Sequence, residues 1–498
     1  MRKLLMASVA VLGATSGLAF AQAPSQGQLI QPWAAGPASN NNNNAVGRAN
    51  DPGYTPKYDA TPTPGTVVIR LNGRVQSDIG AAWTSFDKAS AGTAGAFYKV
   101  SPISFANYMR LYPAMDGMAT NGMRYGASIE LRENFNSPTS QTALTSATSP
   151  SGYSSSQTVF VRRSFVYVGS DSVGIVRIGQ TDGVIGLFDN GTYTSQGWDA
   201  GVGNFNGGMM QGWAPGGAVG VPFAWLAQAG SEYSNNKIVY LTPQFFGFDF
   251  GIQYAPNMGN SFSQSTGANA QSTTLCTQPA ATCMNLTSGL DTTRWINQVA
   301  VGARYQGTFG PVWLGAYAVY EAAGKETGIN GATVAGNLTL SQRGIGGTAA
   351  GAGTLLYDNL SFVNAGVAVS VPSVGITWAL DYTGGAVNGQ LAMRPNGGVS
   401  ENAFVTGLIY RNGPWVLGAE FGIVESQGDA RLTKLTQRKE TEIAFGGTYN
   451  AAPGLAFVLE YMHTERHQGQ FDFAAGAPST LTRDGRANGV LFSTVVTW

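Results

Sequence analysis

Charge is scarce in this chain: Asp, Glu, Lys and Arg make up 11% of it, and basic and acidic residues balance at 28 each. No cluster of Lys and Arg marks a face for nucleic acid, which would need one to meet the phosphates. Histidine occurs twice, as His463 and His467, and cysteine twice, as Cys276 and Cys283. So thin a supply of bases and nucleophiles argues against an enzyme, which needs an activated serine or a carboxylate and histidine set. We expect no catalytic residue, cofactor or metal. Long apolar runs are missing too. Beyond the N-terminal segment nothing approaches the roughly 18 apolar residues of a membrane helix, so helical spans are excluded.

Residues 1–21 stand apart. They carry Arg2 and Lys3, an apolar run from Leu4 to Leu12 and the small-residue site Ala19-Phe20-Ala21, the pattern of a cleaved secretory signal peptide. Taking Arg2 and Lys3 from the 28 basic residues leaves 26 against 28 acidic ones, a formal charge of -2. Residues 22–65 hold Pro24, Pro32, Pro37, an asparagine run from Asn40 to Asn44, Pro52, Pro56, Pro62 and Pro64. Such a stretch buries too little apolar surface to offset its ordering entropy, so it reads as a disordered linker.

From residue 66 to 498 the chain is rich in glycine and alternates. Arg70, Asn72, Arg74, Gln76 and Asp78 share one face of a strand while Val67, Ile69, Leu71, Val75 and Ile79 share the other, the period of two that marks β structure. Arg124, Ser128, Glu130 and Arg132 alternate in the same way with Met123, Tyr125, Ala127, Ile129 and Leu131. In the segment 158–169 the pattern puts Val159, Val161, Phe165 and Tyr167 together, with Arg162 opposite and Arg163 on the apolar parity. Sixteen such segments run from 66–79 to 487–498. Short turns, such as 170–172, 308–311 and 450–454, alternate with long connections, such as 136–157, 257–291 and 467–486. An even strand count with short turns at one end and long loops at the other marks an outer-membrane barrel, polar inside and apolar outside. A soluble sandwich would bury its apolar faces and rarely sustain sixteen strands in one domain.

One connection, from Asp182 to Gly230, far exceeds the roughly 12 to 15 residues beyond which loops are usually functional or disordered. The residues flanking it carry a resemblance. Asn235, Asn236, Ile238, Tyr240, Pro243, Phe245, Gly247, Phe248 and Tyr254 resemble the strand 6 to strand 7 hairpin of the Gram-negative general porins, and RRSFVYVGSDSVGIVRIGQ resembles their strand 4 to strand 5 hairpin. The terminal NGVLFSTVVTW, with Phe492, Val496 and Trp498 at alternate positions, resembles the aromatic signal by which such barrels are recognised for assembly. The resemblance implies an all-β fold: a 16-stranded antiparallel transmembrane β-barrel over 66–498, with its long third loop folded into the lumen. It further implies a homotrimer in the lipid of a Gram-negative outer membrane, residues 22–65 on the periplasmic side, and passage of small hydrophilic solutes and ions.

General porins set a basic wall against acids from the third loop, so the resemblance implies Arg70, Arg74, Arg110, Arg124, Arg132, Arg162 and Arg177 at the constriction, facing Asp182, Asp189 and Asp199. Opposed charges across a wet passage favour polar solutes over apolar ones, which cannot match the lost water. Cys276 and Cys283, close together in an external loop of an exported chain, read as a disulfide, with metal binding as the weaker alternative. His463 and His467 read as surface residues. The function expected is passive diffusion. A substrate-selective channel for sugars or small anions is the alternative, with Trp198, Phe205, Trp213, Phe223 and Trp225 as its aromatic track, and a barrel enzyme or a sealed structural anchor are more distant readings.

Overall fold

The computed structural model describes residues 62–85, 88–90, 97–99, 103–134, 158–170, 172–188, 236–257, 295–325, 337–339, 354–356, 358–388, 394, 397–428, 436–473 and 477–498. Sixteen of its strands close into one barrel. In chain order they are β1 (Thr66–Thr84), β2 (Ile103–Met118), β3 (Arg124–Asn134), β4 (Thr158–Ser170), β5 (Gly174–Gln180), β6 (Asn236–Leu241), β7 (Phe248–Asn257) and β8 (Trp295–Phe309). They continue as β9 (Val312–Lys325), β10 (Leu360–Val371), β11 (Ile376–Ala386), β12 (Glu401–Asn412), β13 (Trp415–Ser426), β14 (Arg438–Ala452), β15 (Leu455–Gln468) and β16 (Gly485–Thr497). Each pairs antiparallel with its chain neighbours, and β1 pairs with β16 from Arg74↔Thr497 to Thr84↔Ala487, which removes both sheet edges. Small hairpins, 88–90 with 97–99 and 337–339 with 354–356, decorate the long connections. No helix among the described residues is long and apolar enough to cross a membrane.

Burial follows the alternation. Arg70, Asn72, Arg74, Gln76 and Asp78 are buried, while Ile69 is 81% and Leu71 61% exposed. The exposed outer face is therefore apolar, as lipid contact requires. Aromatic rings band it at two levels. Near the short turns, Phe248 packs on Tyr305 at 4.8 Å and Trp415 on Tyr449 at 4.6 Å. Near the long loops, tyrosines reach across to polar side chains of the next strand: Tyr254 donates to Asn297 at 2.9 Å, Tyr382 to Asn402 at 3.1 Å and Tyr461 to Asn488 at 2.8 Å. A ring with one apolar body and one hydrogen-bonding end suits the membrane boundary.

The C-terminus completes the cylinder. Trp498 exchanges two backbone hydrogen bonds with Gly73, at 3.1 and 3.2 Å, and its ring occupies the space a Cβ on Gly73 would need. Phe492, Val496 and Trp498 all face outward.

Two expectations change. The pairing of β3 with β4 shifts register between Glu130 and Leu131: Glu130 lies opposite Arg163 and Leu131 opposite Val161, leaving Arg162 as the extra residue of a bulge. Parity resets there. Val159 and Val161 are exposed, but Phe165 and Tyr167 are buried, so the four do not share a face. The side chain of Arg163, expected on the apolar parity, lies outside the described residues; its backbone pairs with that of Glu130. The second change concerns the lumen itself, whose wall is not polar all the way round.

Candidate functional site

The inner wall has two sectors. Along β4–β10 polar side chains such as Lys237, Gln298, Glu321 and Asn364 share the inward face with an apolar patch: Phe165, Tyr167, Ile175, Val239, Leu241, Ala255, Val319 and Phe362 belong to one buried cluster. The cluster continues into the long connection after β5, where the short helix α1 (Val184–Phe188) adds Val184, Ile185, Leu187 and Phe188. This start of the loop lies against the inside of β7–β9. Gln253 of β7 accepts the Val184 amide at 2.6 Å. Arg304 of β8 grips Asp249 through two bonds, at 2.6 and 3.1 Å, donates to the Leu187 carbonyl at 3.2 Å, and stacks its guanidinium 5.0 Å from the Phe188 ring. Gly251 and Gly302 leave the floor flat: a Cβ on either would come within 2.9 or 3.2 Å of Val184. An aqueous wall has no use for these apolar residues; a docked segment does.

The second sector, running from β11 through β16 to β3, is charged. Register places Arg74 of β1 opposite Arg110 of β2, and Arg110 opposite Arg132 of β3, so three arginines stand in one row across adjacent strands. Like charges directly opposite in a sheet are destabilising, which makes such a row costly as mere structure. Beside it Arg70 pairs with Asp116, whose other oxygen takes the Tyr167 hydroxyl, while Gln76 donates to Asp78 at 2.8 Å. Arg124 is buried on the same wall. Arg177 is the departure: it lies in the apolar sector, stacked 5.0 Å from the Phe165 ring.

Of the expected acids, Asp182 is buried at the foot of the loop; Asp189 and Asp199 lie outside the described residues. Carboxylates absent from the sequence reading occupy the barrel wall instead. Asp381 (β11), Glu401 (β12), Glu420 (β13), Glu440 and Glu442 (β14) and Glu460 (β15) all hold inward positions and are buried. Glu420 lies opposite Ala444 and Glu460 opposite Gly446, so these two and Glu442 are close neighbours on one patch. The inner face of β16, with Ala487, Leu491, Ser493 and Val495, forms a neutral seam between this acidic wall and the arginines. Strict parity would have found every one of these acids, each of which alternates with outward residues such as Phe421, Ile443 and Leu459.

The side chains of Arg110, Arg132 and Arg162, and all of Cys276, Cys283, Trp198, Phe205, Trp213, Phe223 and Trp225, lie outside the described residues. The histidines are on the outer face: His463 meets Asn488 at 2.8 Å and His467 meets Asp484 at 2.6 Å. No group of three metal-ligating side chains occurs among the described residues.

A closed sixteen-stranded barrel with an apolar outside and a charged inner wall is a membrane channel in build. The family model described as Gram-negative porin matches residues 7–469, and the chain belongs to that family. Similar solved structures include the outer-membrane expressed OmpT of Vibrio cholerae, 10% identical over 88% of this chain and 100% of that one with a TM-score of 0.46. They also include the anion-selective porin from Comamonas acidovorans, 14% identical over 87% and 100% with a TM-score of 0.45, and a mutant of the Rh. blastica porin, 12% identical over 86% and 100% with a TM-score of 0.43. No curated relative matches the chain. As a Gram-negative porin it is an outer-membrane channel for passive diffusion of small hydrophilic solutes and ions.

Proposed function

We propose that this porin works as a homotrimer without chemistry of its own, and that solutes cross it between the arginine wall of β1–β3 and the carboxylates of β11–β15. The row Arg74, Arg110 and Arg132 carries this reading, because register sets three basic residues side by side on adjacent strands, a placement that a purely structural wall disfavours. The long connection after β5 narrows the passage from the apolar sector, to which its first residues are bound. Such a passage suits ions and dipolar solutes. Residues 1–21 are removed on export and Cys276 and Cys283 are joined, which peptide mass mapping of the mature protein tests; residues 22–65 remain on the periplasmic side, which protease protection in intact cells tests.

Planar-bilayer recording of the purified protein under a salt gradient tests the channel. Conductance steps grouped in threes with a modest ion preference are expected. A small conductance that one class of sugar or anion blocks would move the assignment to a selective channel, and absence of conductance would overturn both.

A further inference from the structure

At the loop end of β14 and β15 the chain folds back over the lumen. Arg438 and Gln468 end these strands on the inward face and are joined by a 2.9 Å hydrogen bond. Just beyond Gln468 the connection to β16 turns inward before residues 480–484 return to solvent. Its Phe471 and Phe473, packed edge to face at 4.8 Å, are 2% and 1% exposed. Both rings stack on the Arg438 guanidinium, at 5.1 and 5.3 Å, and Phe473 also lies 5.9 Å from Arg466, another inward residue. Because these arginines point into the barrel, the rings that cover them are on the lumen side of the wall. Backbone bonds brace the fold: Phe473 donates to the Arg483 carbonyl and Arg483 to that of Phe471, each at 3.2 Å.

Neighbouring connections are tied into the same knot. Asn388, after β11, and Gly428, after β13, exchange hydrogen bonds of 2.9 and 3.1 Å. The Gln468 amide donates to the Gln427 carbonyl at 2.9 Å and to that of Thr436 at 3.0 Å. Gly428 has a positive φ of 65°, and a Cβ there would run into Arg438 and Gln468, so the crossing is as tight as a backbone allows. A flexible gate needs few contacts and exposed backbone bonds; this region has the opposite.

We propose that Phe471 and Phe473, held by Arg438, form a fixed roof over the β12–β16 side of the mouth and act as a second size filter, ahead of the charged walls. The inference rests on the channel reading. Aromatic rings stacked on two guanidinium groups keep their place without closing a gate, since a cation over a ring face is attracted most strongly where water is excluded. The roof stands over the acidic wall, so whatever passes along those carboxylates passes under it first.

The test uses the full-length protein in planar bilayers, with polyethylene glycols of graded size as probes of the exclusion limit. Two variants are compared with the wild type: Phe471→Ser combined with Phe473→Ser, and a chain in which residues 470–483 are replaced by two glycines. A rise in exclusion limit in either variant, with conductance up by on the order of twofold, is the expected result. The wild-type limit in every variant that folds, judged by heat-dependent mobility in gels, overturns the proposal. If the wild type is closed and a variant conducts, the rings are a seal and not a size filter, and the proposal is overturned. If none conducts, the channel reading itself has failed, and the filter with it.

Discussion

Asp116 shows how a single lumen residue ties strands together. One of its oxygens takes the Arg70 guanidinium and the other the Tyr167 hydroxyl, so β1, β2 and β4 meet at one carboxylate. Removing one partner of a buried pair leaves the other charge uncompensated, at a cost of about 3–5 kcal/mol. Asp116→Asn is therefore expected to lower the urea midpoint in micelles by more than Arg70→Met combined with Asp116→Leu, and equal effects would mean that lumen water solvates the arginine anyway. A second residue test lies at the seam: Gly73→Val displaces the Trp498 ring from the β1 surface, an overpacking worth about 1–3 kcal/mol, and should lower the temperature at which the barrel loses its compact gel mobility. Arg70 was legible from alternation alone. Its partner was not, because Asp116 sits two residues from the strand end at Met118, between Met115 and Gly117, where alternation is too short to define a face.

At the scale of elements the sixteen strands were written in the sequence, since lipid on one side and water on the other enforce a period of two over each span. The exceptions are where that rule is suspended. The bulge at Arg162 leaves no mark in VFVRRSFVYV, because an extra residue is visible only from the partner strand. The apolar inner patch was equally hidden: strands that seat a short helix look like strands with two apolar faces, and only the contacts of α1 distinguish them. Those contacts give a prediction. Phe188→Ala removes a ring buried against Arg304 and Gly251, a loss of about 3–5 kcal/mol. That sum exceeds what a five-residue helix can spare, whereas the barrel ladder does not depend on it. The expected outcome is new protease cleavage within residues 181–188 with an unchanged unfolding midpoint for the barrel; a fall in that midpoint would instead make the loop stem part of the barrel's cooperative core.

For the whole molecule the balance of charge matters less than its layout. Equal numbers of basic and acidic residues would leave an unordered pore indifferent to the sign of an ion. Here the layout is uneven: on β1–β3 Arg70, Arg74 and Arg124 stand with Asp78, Asp116 and Glu130, whereas on β11–β15 six buried carboxylates stand with Arg438 and Arg466 among the described residues, and the neutral face of β16 lies between. Several members are already neutralised in place: Arg70 by Asp116, Arg304 by Asp249 and Arg466 by Glu440 at 2.6 Å. Glu420, Glu442 and Glu460, close together on the inner face of one wall, and the Arg74 row on the other are the charges whose removal tests the ion path. Charged rings close to the path act on permeant ions at short range, while distant rim charges are screened beyond about 8 Å at physiological salt. Replacing the three glutamates by glutamine should shift the zero-current potential under a salt gradient toward anions, and Arg74→Gln with Arg124→Gln should shift it toward cations. Because the walls are separate, the combined variant should return close to the wild-type potential. If the glutamates shift nothing while the arginines do, the conducting path runs along β1–β3 alone, and the acidic wall lies outside it.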